Sequence, residues 1–143
     1  MKRMLHLPDV NIWVALTFDS HPNHPAAKLW FDAVSDTMLF CRMTQQGFLR
    51  LATNPSVGGP DVLTMTEAWQ KYDDFLSDPL IVVAAEPAGL DVQWRSYTQG
   101  KSFSPKVWND AYLAAFAKVA DYEMVTFDNG YTQYPGLKLN LMK

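Results

Sequence analysis

Leu80-Ile81-Val82-Val83-Ala84 is the stretch on which the fold class turns. It is apolar throughout and centred on three β-branched residues, the composition expected of a central strand in a parallel sheet. Shorter runs of similar character recur on both sides: Met4-Leu5-His6-Leu7, Met38-Leu39-Phe40-Cys41, residues 123–127 and residues 137–141. Pro8 stops the first of these, because it has no N–H to give to a ladder. Between the runs, apolar residues fall at helical spacing. Ile12, Trp13, Ala15 and Leu16 form one such face, with Asn11 as the expected N-cap. Ala26, Ala27, Trp30, Ala33 and Val34 form the next, and residues 45–52 a third. Ala68, Trp69, Tyr72, Phe75 and Leu76 line a helix capped by Thr64 or Thr66. A short helix is expected over 87–97, and loops over 56–60 and 99–103. Ser104-Pro105 reads as a helix start, with serine as cap and proline in the first turn. Strands that alternate with helices imply an α/β domain whose mostly parallel sheet is covered on both faces.

Length and composition bound the rest. A chain of 143 residues, 48% of them hydrophobic, suits a single domain over 1–143 with a substantial core. One cysteine, Cys41, cannot form an internal disulfide and sits in an apolar run, so a buried structural thiol in a reducing, cytoplasmic setting is expected. Lys2 and Arg3 precede an apolar stretch, but His6, Pro8, Asp9 and Asn11 break it, which argues against a signal peptide. No run approaches the roughly 20 apolar residues of a membrane span. The formal charge of −3, from 15 acidic and 12 basic residues, does not by itself mark a nucleic-acid binder.

The placement of three carboxylates is more informative than their number. Asp9 and Asp128 each follow a predicted strand, and Asp110 falls in the second turn of the helix begun at Ser104-Pro105. In open α/β sheets ligands bind beyond the carboxyl ends of the strands, where Asp9 and Asp128 project. Converging carboxylates repel one another unless a hard cation joins them. With no histidine or cysteine pairing suited to zinc, oxygen ligands point to Mg2+ or Mn2+ and to phosphate chemistry.

Four segments carry a resemblance: Leu7-Pro8-Asp9-Val10-Asn11, Phe40-Cys41-Arg42-Met43-Thr44-Gln45-Gln46-Gly47-Phe48-Leu49-Arg50, Trp108-Asn109-Asp110-Ala111-Tyr112-Leu113-Ala114-Ala115 and Val125-Thr126-Phe127-Asp128-Asn129-Gly130. In this order and spacing they resemble the PIN-domain ribonucleases, specifically the VapC toxins of type II toxin-antitoxin pairs. The resemblance implies a PIN-like three-layer α/β/α sandwich and a Mg2+- or Mn2+-dependent endoribonuclease. It implies hydrolysis of RNA to a 3'-hydroxyl and a 5'-phosphate, a VapB-like antitoxin that blocks the pocket, and a homodimer. Asp9, Asp110 and Asp128 match three of the family's four acidic positions; Gln45 stands where relatives carry a glutamate. One ion is therefore expected, held chiefly by Asp9 and Asp110, with Asp128 bonding through water and Gln45 orienting water or the scissile phosphate. Asn11 and Thr126 are the expected supporting residues, although an N-cap and a plain strand threonine describe them equally well.

Other residues have simpler readings. His21 and His24 flank Pro22 and Pro25 and read as a helix entry rather than a metal pair. Arg42 and Arg50 suit phosphate, solvent or a carboxylate alike. Trp13, Phe18, Trp30 and Phe31 read as core, while the resemblance implies partial exposure of some in an antitoxin groove and a dimer face. Two alternatives accompany the ribonuclease: a PIN fold that Gln45 has robbed of turnover, binding RNA or antitoxin only, and a metal-dependent phosphatase. The phosphatase lacks a second aspartate two residues after Asp9, where Asn11 stands.

Overall fold

A computed structural model describes residues 3–143; Met1 and Lys2, with the part of the leader reading that falls on them, lie outside the described residues. A five-stranded parallel sheet forms the middle layer, in the order β3-β2-β1-β4-β5. The strands are β1 (His6–Pro8), β2 (Met38–Phe40), β3 (Ile81–Val83), β4 (Glu123–Thr126) and β5 (Lys138–Leu141). Helices α1 (Val10–Thr17) and α2 (His24–Ala33) connect β1 to β2; α3 (Arg42–Ala52), α4 (Pro55–Gly58) and α5 (Met65–Leu76) connect β2 to β3. Helices α6 (Leu90–Thr98) and α7 (Pro105–Ala120) then carry the chain from one edge of the sheet back to β4 beside β1.

Alternating side chains of the strands feed two cores. Met38, Phe40 and Val125 point into a cluster with Trp13, Phe48, Tyr72 and Phe75 from α1, α3 and α5. Leu7, Leu39 and Met124 point the other way, toward Leu90, Tyr97, Leu113, Phe116 and Tyr131. Trp13 stacks on Phe40 with ring centroids 4.0 Å apart and is fully buried, as Phe18 nearly is; Trp30 and Phe31 are half-buried. The large apolar side chains most open to solvent lie elsewhere, at Leu29, Met65, Val92 and Phe103.

Four local expectations are corrected. The run 80–84 forms an edge strand, not a central one, and Val82 and Val83 are exposed. Its composition reported strand propensity, whereas its place was set by pairing with β2 alone. Asp9, not Asn11, caps α1, its carboxylate accepting the Val10 N–H at 2.8 Å. Residues 56–60 are not an open loop: α4 and a 3-10 turn over Gly59–Asp61 occupy them, started by Pro55 and by the Asn54 carbonyl side chain, which accepts the Ser56 N–H. Ser104 stands at the N-cap of α7 without a side-chain cap bond. Thr64, by contrast, forms a full capping box with Glu67. His21 and His24 serve the turn before α2, the first accepting the Asn23 N–H and the second bonding the Ala15 carbonyl.

The approach of α1 to α3 depends on Gly47. A Cβ there would lie 2.6 Å from Cγ2 of Val10, the residue following Asp9. Gly47→Ala is expected to lower stability by up to about 2 kcal/mol, because overpacking of about 1–3 kcal/mol outweighs the gain of about 1 kcal/mol in helix propensity. Urea unfolding measures this, and Val10→Ala in the same chain should restore most of the loss; an unchanged midpoint in the single variant would remove the packing argument.

Candidate active site

The strand order places the site. From β1 the chain steps outward through β2 to β3, then crosses to the other side of β1 for β4 and β5. The gap between β1 and β4 is therefore a topological switch point, where a crevice opens at the carboxyl ends of the strands. Asp9 follows β1 and Asp128 follows β4 by two residues, so they border this crevice. Helix α7 runs back across the sheet before β4, which brings its early turns, and Asp110, to the same edge.

Thr126 knits β1 and β4 together there. Its hydroxyl is fully buried, donates to Asp9 Oδ2 at 2.8 Å, and accepts from the Asp128 N–H at 3.0 Å and the Asn11 side-chain amide at 3.2 Å. The Asn11 side-chain oxygen reaches the Phe127 N–H at 3.4 Å. Asp128 Oδ1 accepts the Gly130 N–H and so fixes the turn after β4. Tyr131, buried in that turn, donates its hydroxyl to Asp110 Oδ1 at 3.1 Å. The lysine one helical turn before Asp110 completes the cluster: Lys106 Nζ lies 2.5 Å from Asp110 Oδ2 and also bonds Asp128 Oδ2. No sequence reading singled out Lys106 or Tyr131. An i,i+4 spacing to Asp110 was available for Lys106, but its bond to Asp128 spans 22 residues and leaves no local trace.

These contacts divide the carboxylates electrostatically. Burial, reinforced by the charges of Asp110 and Asp128, pushes Asp9 up to about 6 despite the Thr126 and Val10 hydrogen bonds. Burial also works against charge on Asp128, but the Lys106 ammonium and the Gly130 N–H prevail and hold it below its ordinary value. The Tyr131 phenol is pushed up, by burial first and by the surrounding carboxylates second, so it stays a neutral donor. A site with one carboxylate that is costly to ionise, and with an ammonium between the other two, suits a cation. Among the described residues no three His, Cys, Asp or Glu side chains stand as a finished ligand set, and Asp110 and Asp128 pair with Lys106.

Gln45 lies on the flank of the site, in the first turn of α3 where the chain leaves β2. Its side-chain oxygen accepts from Arg42 of the same helix at 2.5 Å, and it neighbours Tyr72 on α5. The structure joins Asp9, Asp110, Asp128, Asn11 and Thr126 in one network through Lys106, and Gln45 is bonded to Arg42 instead. Cys41 is buried at the N-cap of α3, paired with Thr44, and burial pushes its thiol up, which fits a structural role.

The PIN domain profile matches residues 7–137. The chain is 48% identical to Ribonuclease VapC41 of Mycobacterium tuberculosis over 95% of its own length and 97% of that protein's. It is 33% identical to Ribonuclease VapC38 of the same organism, covering 87% and 85%. The fold superposes on the VapC20 toxin of M. tuberculosis, described as sarcin-ricin loop cleaving, with TM-score 0.68 at 15% identity over 96% and 99% of the two chains. It also superposes on VapBC2 of Rickettsia felis, solved on a promoter DNA fragment, with TM-score 0.67 at 18% identity over 98% and 100%. Fold and site thus define a PIN-domain nuclease. The chain belongs to the PIN-domain family and, within it, to the VapC ribonucleases, which generally depend on a divalent metal.

Proposed function

We propose that this chain, as one PIN domain over 1–143, is a Mg2+-dependent endoribonuclease, with Mn2+ an effective substitute, and the toxin of a cytoplasmic VapBC-like pair. The observation that carries the reading is the gathering of Asp9, Asp110 and Asp128 at the switch point, two of them on an ammonium and the third on Thr126, in a chain of this family. A bound divalent ion would polarise the scissile phosphate and lower the pKa of an attacking water. The protein's own part is orientation. Val10 N–H and the Thr126 hydroxyl fix both oxygens of Asp9, and the Tyr131 hydroxyl fixes one oxygen of Asp110, so these two oriented carboxylates would hold the ion. Asp128, anchored to Gly130, would complete the acid pocket through water. Asn11 and Thr126 act behind the carboxylates rather than on substrate. Gln45, with Arg42, borders the place where the scissile phosphate would lie.

The partners in this reading are RNA, a VapB-like antitoxin that covers the pocket, and a second copy of the chain. Among the described residues no helix is long and apolar enough to cross a membrane. Purified chain freed of antitoxin is expected to cut RNA in Mg2+ or Mn2+, to stop with EDTA and to resume when metal is restored. RNA left intact under all metal conditions would overturn the enzymatic reading. A second reading, a PIN fold that binds RNA or antitoxin without turnover, draws on Gln45, whose neutral side chain is committed to Arg42. It predicts RNA retention with no metal-dependent cleavage.

A further inference from the structure

The acidic cluster holds a cation of its own. Lys106 sits in the first turn of α7, and its ammonium lies against one oxygen each of Asp110 and Asp128, carboxylates that belong to different elements. The side chain is 62% exposed, so its flexible stem has room to move into solvent. Asp110 and Asp128 thus each have one oxygen on the lysine and the other on a second partner, the Tyr131 hydroxyl for Asp110 and the Gly130 N–H for Asp128. Asp110 is common to the lysine and to the proposed ion, and an ammonium and a divalent ion cannot share its carboxylate at contact distance, since like charges at such separations repel strongly.

We propose that Lys106 is a positioning residue for the metal site: its ammonium draws Asp110 and Asp128 together, and it must release Asp110 for a divalent ion to bind there. Metal uptake is then an exchange of one cation for another on that carboxylate, which lowers the apparent metal affinity. The proposal rests on the reading of these aspartates as metal ligands. It requires no bond to form or break other than hydrogen bonds, and the displaced ammonium goes to solvent beside the pocket.

The test is a calorimetric titration of Mn2+ and Mg2+ into the full chain without RNA, at pH 7.5 and low salt, for wild type, Lys106→Met and Lys106→Arg. The methionine variant keeps the stem and loses the charge; the arginine variant keeps the charge. Lys106→Met is expected to bind Mn2+ about five- to tenfold more tightly, the scale of an exposed ion pair used twice. Its melting temperature in EDTA should fall below wild type, and its gain on adding Mn2+ should be larger. Lys106→Arg should stay near the wild-type affinity. Equal or weaker metal binding by Lys106→Met would overturn the exchange while leaving the metal site standing. Absence of binding at millimolar metal in all three proteins would overturn both the exchange and the metal-dependent reading of the site.

Discussion

Asp9→Asn is expected to abolish metal-dependent RNA cleavage and, in the same molecule, to raise the stability of the metal-free protein at neutral pH. Loss of activity follows from removing a carboxylate that both proposed duties, holding the ion and balancing its charge, require. The gain in stability follows from the cost of ionising Asp9 where it stands. Its ordinary value is 3.8, and the folded protein moves it to about 6. Below pH 4 the group is protonated in both folded and unfolded chains, and the folded state is not penalised. Between about 4 and 6 the unfolded chain releases a proton that the folded chain retains, so stability falls as pH rises; above about 6 the deficit is complete. Two pH units correspond to about 3 kcal/mol, and the half-buried position of Asp9 reduces this to roughly 1–2 kcal/mol.

Asparagine keeps one oxygen, for the Val10 N–H, so the cap of α1 survives; its amide NH2 replaces the oxygen that accepted from the Thr126 hydroxyl, a loss of about 0.5–1.5 kcal/mol that narrows the gain. The charge lost at the helix start is worth about 0.3–1 kcal/mol, less than the ionisation cost it removes. Urea unfolding in EDTA between pH 4 and 8 should therefore give curves that meet near pH 4 and separate above it, with the asparagine variant the more stable. Adding Mg2+ should reverse the order, because only the wild type gains binding energy from the ion. An asparagine variant that cleaves RNA at the wild-type rate would remove Asp9 from the site, and one that is less stable at pH 7.5 in EDTA would remove the burial argument.

Thr126→Val is the second large effect expected. The substitution holds volume nearly constant in a fully buried position, so packing changes little. What disappears is a hydroxyl with three partners, Asp9, Asn11 and the Asp128 N–H. Stability should fall by about 1–3 kcal/mol, because polar groups around the lost oxygen remain buried without it. Metal affinity or cleavage rate should fall about 10- to 100-fold, the usual cost of losing a group that orients a ligand. Thr126→Ser, which keeps the hydroxyl, should recover most of both. Comparing the three proteins by calorimetric metal titration and single-turnover cleavage separates loss of orientation from loss of fold; a valine variant with wild-type metal affinity would leave Thr126 a plain strand residue.

Much of the architecture was readable from the order of residues. Apolar β-branched runs and helical spacing are local signals, and β1, β2, β4, α3, α5 and α7 fall within a few residues of where those signals put them. The errors cluster where two local rules compete. Asn11 and Asp9 are both good N-caps, and the choice fell to Asp9 because the chain leaves β1 directly into α1. Residues 56–60 carry glycine and proline, which suit loops, yet Pro55 with Asn54 starts a helical turn just as readily.

The alternation of strands and helices, the emergence of Asp9 and Asp128 after strands and the place of Asp110 early in a helix depend on propensities acting over a few residues. Packing of the whole chain made β3 an edge and put the switch point between β1 and β4. It alone turned Gln45 toward Arg42 and joined Thr126 to Asp9 across 117 residues. It alone put an ammonium between two carboxylates and pushed the third up to about 6. Strand order follows from which crossovers pack, and an ionisation cost follows from what surrounds a group once packed. Neither is a property of any short stretch of chain.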